Sequence, residues 1–450
     1  MVGGLLLVEN AHAAISVGGA IGTSTWTTGN NYSLTADTLV GYGSTLTIEP
    51  GVTINFNAHE LTIAGTLKAQ GSTSSQIVIT NNGYSTLGID FAPSSTASII
   101  DNATIYSVPI TIEGGYTQIS NSYFAPAPTT PITVNGGSCG VVNNVINFLS
   151  CNGITVNSGS AYIMNNIVKG QGQDYGIYTQ GAATITSNTI ANCFSGVYAV
   201  TQTTIEQNII MNNENDGIRS NSSASSIQNN AIANNTCGIG GDGNIQANTI
   251  VNNNYGIWGP TQLSTINQNT IMDNTQNIHL TENATDVNAV NNWWGTSDAA
   301  AINQTIWDFK NSSNLGTLDF VPFLVQSNPT APSVPGSIVV PTPPPTSPTP
   351  TPYNATVTPT PYFIQTPTPI PYYTPQLTPT RTPVAPQGTP LPIVGQFSIT
   401  DIDNMLVIVL SVALAVTIIA LINIKFRRNE KHKSANKQRR RKPKNTVIES

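Results

Sequence analysis

Between residues 141 and 292 the chain repeats a short pattern of apolar, polar and small positions. An Asn followed two residues later by Ile or Val stands at Asn144, Asn166, Asn188, Asn208, Asn230, Asn248 and Asn269, and Asn292 continues the series. Successive members are 22, 22, 20, 22, 18, 21 and 23 residues apart. Three residues before the first seven lie Val141, Ile163, Ile185, Ile205, Ile227, Ile245 and Ile266; two residues after them lie Ile146, Val168, Ile190, Ile210, Ile232, Ile250 and Ile271. A third apolar column follows a Gly or its substitute: Ile110, Ile132, Ile154, Ile177, Val197, Ile218, Ile239, Ile257 and Ile278. Three apolar columns per period of about 21 residues predict three short strands per turn, each too brief for a helix, with Gly and Asn at the corners.

Such a chain satisfies its strands by stacking each turn on the last, at about 4.8 Å. Like residues then fall in line, so Ile packs on Ile and the core becomes a column. An inward Asn at a corner is predicted to bond backbone groups and the Asn of the next turn. The Gly before the third column is predicted to sit at a corner that needs positive φ. The predicted fold is all-β: a right-handed parallel β-helix (a solenoid) over 15–328.

The "NxI…GI" period resembles the right-handed parallel β-helix repeat family, the pectate-lyase-like superfamily that includes pectate lyases, polygalacturonases and prokaryotic surface proteins with a stalk and a C-terminal membrane anchor. Residues 44–80, "STLTIEPGVTINFNAHELTIAGTLKAQGSTSSQIVIT", are similar to the N-terminal turns of that group. Residues 291–324, "NNWWGTSDAAAINQTIWDFKNSSNLGTLDFVPFL", resemble its closing segment. The last turn of a solenoid exposes strand edges and apolar columns. Trp293, Trp294, Ile306, Trp307, Phe320 and Phe323 are therefore predicted to cap that end, over 291–325. The resemblance implies the fold; the activities of the group range over lyases, hydrolases, epimerases, binding proteins and inert spikes.

Beyond the repeats the composition changes. Residues 329–392 hold 21 of the 30 prolines. A Pro/Thr-rich stretch of this kind favours polyproline II and builds no core, so 329–396 reads as a stalk. Residues 405–424, "MLVIVLSVALAVTIIALINI", carry no charge and are long enough to span a bilayer. Basic residues follow at once, from Lys425 through "RRRKPK", predicting a transmembrane helix with 425–450 as a cytoplasmic tail. The opening "MVGGLLLVENAHAA" has a short apolar run and an Ala11-His12-Ala13 site, so 1–14 is predicted as the remnant of a signal peptide. Eight Asn-x-Ser/Thr sequons, at Asn31, Asn102, Asn221, Asn234, Asn283, Asn303, Asn311 and Asn354, are candidate glycoprotein acceptors in an exported chain. The expected location is the cell membrane, single-pass, with the N-terminal body outside and membrane lipid met only through the C-terminal helix.

Charge narrows the partners. Only 8% of residues are charged. Residues 1–404 hold 20 acidic and 5 basic side chains, a charge of −15; residues 425–450 hold 11 basic and 2 acidic, +9; together these give the net −6. An acidic body argues against nucleic acid, which needs a basic face. The four cysteines show no CxxC spacing, and His59 and His279 stand alone, so no metal site is predicted. Cys193 and Cys237 lie two turns apart, about 9.6 Å, too far to bridge.

The candidate chemistry lies on one outer face. The residue two after the corner Gly points outward by strand alternation. Down the stack that position reads Thr111, Thr133, Thr155, Tyr178, Tyr198, Arg219, Gly240, Trp258 and His279. Sugar rings stack on aromatic faces, and Arg or His takes hydroxyl or carboxylate oxygens. Tyr178, Tyr198, Arg219, Trp258 and His279 are thus the candidate ligand-binding residues. The bland alternative is an aromatic ladder that only stabilises cross-strand stacking. For catalysis the face offers Asp174, Asp216 and Arg219, without the adjacent carboxylate pair that glycoside hydrolysis requires. No cofactor is expected; calcium would enter only if the chain were a lyase. The expected function is a membrane-anchored surface β-helix that binds extracellular glycans or envelope proteins, or serves as a structural envelope component. The rival is a polysaccharide lyase or glycoside hydrolase.

Overall fold

The computed structural model describes residues 14–81, 86–282 and 284–336. Within them the chain winds as a right-handed parallel β-helix built on three ladders of short parallel strands. The first ladder has 12 strands, from Ser24–Trp26 to Thr265–Asn267. The second runs from Thr53–Asn55 to Thr270–Met272, and the third from Leu61–Ile63 to Ile306–Trp307. Both grow from one long strand, Asn31–Val40, whose first half pairs with the second ladder and whose last residues pair with the third. The predicted leader (except residue 14), the stalk beyond 336, the 405–424 span and the basic tail lie outside the described residues. Among the described residues no helix is long and apolar enough to cross a membrane.

Registers between turns follow the sequence columns. Ile163, Ile185, Ile205, Ile227, Ile245 and Ile266 pair in line on the first ladder. Ile190, Ile210, Ile232, Ile250 and Ile271 do so on the second. Ile218, Ile239, Ile257, Ile278 and Ile306 do so on the third. These side chains have between 0 and 2% of their surface exposed. Burying an Ile stabilises by roughly 1.5–3 kcal/mol, so three columns supply most of the folding drive.

The Asn column forms a continuous relay. Asn188 donates its backbone N–H to Asn208 Oδ1 at 2.9 Å and its side-chain amide to the same atom at 3.0 Å. Its amide also donates to the Ile163 carbonyl of the previous turn. The arrangement repeats at Asn144, Asn166, Asn208, Asn230, Asn248 and Asn269, ending on Asn292. All eight are at most 1% exposed. A second relay runs parallel to it, five residues on: the Cys193 N–H donates to Asn213 Oδ1, followed by Asn235, Asn253 and Asn274. Cys193 is therefore the terminal member of an Asn column, and its thiol is buried and free, as is that of Cys237.

The corner geometry departs from expectation. Positive φ occurs one residue before each relay Asn, for example at Asn165 (56°), Ser187 (57°) and Gln207 (58°), and not at the glycines that precede the third ladder. Those glycines are required by close approach. A Cβ on Gly196 would meet the Gly217 carbonyl oxygen at 2.6 Å and Ile210 Cγ2 at 2.7 Å, and Gly217 is hemmed in the same way by Gly238 and Ile232. The stacked glycines let one turn's main chain sit against the next.

Bulky residues gather at the C-terminal end, and Trp307 of the expected cap lies on the outer column instead. Trp294, Ile302 of the short helix Ala299–Gln304, Ile306 and Leu318 join the core, Trp294 meets Phe320 edge on, and Phe320 stacks on Phe323. The chain then turns back. The Leu324 N–H donates to the Asn292 carbonyl, and Asn328 bonds Gln268 and Thr270. Val334 packs on Met211, Ala233 and Val251 of the second ladder. The opening of the predicted stalk, 329–336, thus lies along the solenoid wall.

One acidic residue sits awkwardly on the third ladder. Asp90 pairs in register between Thr62 and Thr111. Burial, with Glu60 and Glu113 nearby, pushes its carboxyl up to about 6, and its Oδ1 has no hydrogen-bond partner among the described residues.

Two outcomes follow from these contacts. Asn208→Ala removes the acceptor for two Asn188 donors and the donor to Ile185, and is expected to lower stability by about 2–4 kcal/mol. Denaturant titration of the full chain measures it, and a loss below about 0.5 kcal/mol would exclude a structural relay. For Asp90 the raised pKa penalises only the ionised folded form. The penalty is small below about pH 4, grows as pH rises, and is complete above the folded value. Asp90→Asn should raise the thermal midpoint at pH 7.5 and leave it nearly unchanged at pH 4; an equal gain at both would contradict the assignment.

Candidate functional site

The outer face of the third ladder carries the predicted column. Its strands begin just after the stacked glycines, so the second residue of each faces outward: Tyr178 pairs with Tyr198, then Arg219, Gly240, Trp258, His279 and Trp307. Thr111, Thr133 and Thr155 continue the column toward the N-terminus. Trp307 joins the column as well as flanking the cap, which sequence spacing alone did not place.

The column divides into two aromatic groups. In the C-terminal group Trp258, His279 and Trp307 stack nearly parallel, with centroids 4.1 and 5.5 Å apart and interplanar angles of 10° and 5°. Tyr255 meets Trp258 and His279 edge on. Burial lowers the pKa of His279, so its imidazole is neutral at pH 7. Both faces of the His279 ring are covered by indoles, which leaves ring edges toward solvent and no free face for a sugar. This group follows the stabilising pattern of cross-strand aromatic ladders.

The N-terminal group is open. Tyr175 lies against Tyr178 (5.7 Å), Tyr198 (5.0 Å) and Phe194 (6.3 Å) at differing tilts. With Ser195, Asn215, Asp216 and Arg219, the rings of Tyr175, Phe194 and Tyr198 line a cavity of about 200 Å³. Tyr178 stands outside the cavity and braces two of its rings. Asp216 is only 6% exposed, and burial pushes its carboxyl above the ordinary value while the Arg219 guanidinium works against that rise. Its carboxylate accepts from the Asn215 amide at 3.1 Å, and its backbone N–H donates to Ser195 Oγ. Above them, Gly240 has no side chain for a reason. A Cβ there would meet Asp216 Oδ1 at 2.6 Å and Arg219 Nη1 at 3.0 Å, so glycine admits both polar groups to one place.

Of the sequence candidates, Tyr198 and Arg219 line the cavity, Tyr178 supports it, and Trp258 and His279 belong to the closed stack. Asp216 lines the cavity too, whereas Asp174 does not. Sequence reasoning missed Tyr175, Phe194, Ser195 and Asn215. For Tyr175 and Ser195 the usable signal was the place just before a Gly: the glycine corner restarts the strand alternation, so positions −1 and +2 share the outer face; Phe194 and Asn215 lie one residue further back. Among the described residues no group of three or more His, Cys, Asp or Glu could hold a metal ion.

No curated protein sequence matches the chain. Among solved structures, a mutant of the periplasmic alginate epimerase AlgG is similar at a TM-score of 0.35 and 13% identity, over 66% of this chain and 77% of that one. A family model described as right handed beta helix region matches residues 175–314. The three ladders keep one register through that match and on its N-terminal side, and the chain is a right-handed parallel β-helix protein.

Proposed function

We propose that this β-helix binds glycans on the outer face of its third ladder, as part of a protein held at the cell surface by its C-terminal span. One observation carries the reading: a cavity with three aromatic walls and a convergent set of polar groups, Asn215, Asp216 and Arg219. Aromatic walls take the apolar C–H faces of sugars, and a few fixed donors and acceptors orient the hydroxyls. Turns spaced at about 4.8 Å support a ligand that is itself a chain of repeating units. The export leader, the Pro/Thr stalk and the uncharged 405–424 segment followed by basic residues support an extracellular position for the body. Binding is favoured over hydrolysis because Asp216 is the single carboxylate lining the cavity, where two are required.

A glycan array probed with the full chain tests this. Hits are expected, and Tyr198→Ala or Phe194→Ala should weaken them at least tenfold while leaving the thermal midpoint close to that of the parent. Trp258→Ala should lower stability more than it lowers binding. A silent array, or release of sugar ends from a bound polysaccharide, would overturn the proposal.

A further inference from the structure

The same cavity has a chemistry narrower than glycans in general. We infer that the space between Tyr175, Phe194, Tyr198, Asp216 and Arg219 receives the acetamido group of an N-acetylated amino-sugar residue. This rests on the glycan-binding reading and names the substituent that the site selects.

Three properties converge on that group. The first is size. At about 200 Å³ the cavity is below the range of about 300–1,000 Å³ typical of pockets for whole small-molecule ligands, and it suits a single ring or substituent of a longer chain lying along the wall. The second is paired polarity. Arg219 offers N–H donors and forms no ion pair within 4.0 Å among the described residues. Asp216 offers a carboxylate with lone pairs beyond those used by Asn215 and the Cys237 thiol. A secondary amide answers both, its carbonyl oxygen accepting from the guanidinium and its N–H donating to the carboxylate. The third is the aromatic lining, against which the acetyl methyl packs.

Charge excludes the neighbouring alternatives. A carboxylate or sulfate placed on Arg219 would face the buried Asp216 carboxylate in the same cavity. A free amine, cationic at neutral pH, would face Arg219. A plain hydroxyl can accept from Arg219 and donate to Asp216 but leaves the rings without an apolar group. Buried polar groups left unpaired are what separate close analogues by large factors. Gly240 is the specificity device: with a Cβ built at 2.6 Å from Asp216 Oδ1 and 3.0 Å from Arg219 Nη1, any other residue would displace the donor–acceptor pair.

The test uses the full chain and matched hexamers of the gluco and galacto series, each in three forms: N-acetylated, de-N-acetylated and hydroxyl-bearing. Isothermal titration gives the affinities. The N-acetylated form of at least one series should bind tenfold or more tightly than its two counterparts. Arg219→Ala should reduce that preference to less than threefold while retaining weak binding to all forms, and Gly240→Ala should do the same by moving the polar pair. Thermal midpoints of both variants accompany the titrations, and Arg219, half-exposed, carries the test if Gly240→Ala fails to fold. Equal affinity for the three forms, or a preference that survives Arg219→Ala, overturns the acetamido assignment while the glycan reading stands. Binding confined to array glycans without acetamido groups overturns it as well. If neither hexamers nor array glycans bind, both readings fall.

Discussion

From Ser122 to Asn292 this solenoid depends on the buried Asn relay that locks each turn to the next. A solenoid strand has only a neighbour above and a neighbour below, and a slip of one residue would turn its inward side chains outward. The relay prevents that slip. In each relay turn one Oδ1 takes two donors from the Asn of the preceding turn, and the amide nitrogen of the same side chain donates to a carbonyl of that preceding turn. All these groups are buried, so a displaced turn would leave several unpaired polar atoms, at about 1–3 kcal/mol each. The residue before each Asn adopts positive φ to aim it inward. This is the register problem solved by side chains rather than by strand length, since many of the strands have three residues.

A fold held in this way is readable from its sequence to an unusual degree. Positions separated by one period are vertical neighbours, so columns in the sequence become columns in space. The Ile columns, the Asn steps and the outer stripe from Tyr178 to His279 all follow from that identity. The parts that escaped reading break the period or hide within it. The second relay begins with Cys193, which lends a backbone donor but has no amide, and so disguises the column of Asn213, Asn235, Asn253 and Asn274. The glycines were correctly placed at corners but for a different reason: main chain from the next turn occupies the space of a Cβ, a contact invisible until turns are stacked. The wall-hugging course of 324–336 carries no periodic signal, because its partners lie far away in sequence, Gln268 lying 60 residues before Asn328 and Met211 further still from Val334.

The site was legible in half. Alternation within a strand places Tyr198 and Arg219 outward, but it says nothing of the residue across the glycine corner. Tyr175, Ser195 and Asp216 occupy that position and complete the cavity. Nor does a column of aromatic residues reveal which rings face each other. Trp258, His279 and Trp307 present their faces along the axis because all three turns carry a planar side chain, and the stack closes on itself.

The two aromatic groups differ in how far they close the wall. A repeating wall offers every turn the same outward position, and identical planar residues there satisfy one another. A ligand site needs the repetition to fail. Here it fails at two adjacent turns, with a flexible cation at Arg219 and no side chain at Gly240. Arg219 ends the tyrosine run without covering it, and Gly240 keeps the indole stack from reaching down to close the gap. The buried carboxylate of Asp216, which the fold tolerates against its own desolvation, stands at that break. A group kept ionisable in a buried position, beside a cation and under an obligatory glycine, is an arrangement that packing alone gives no reason to maintain.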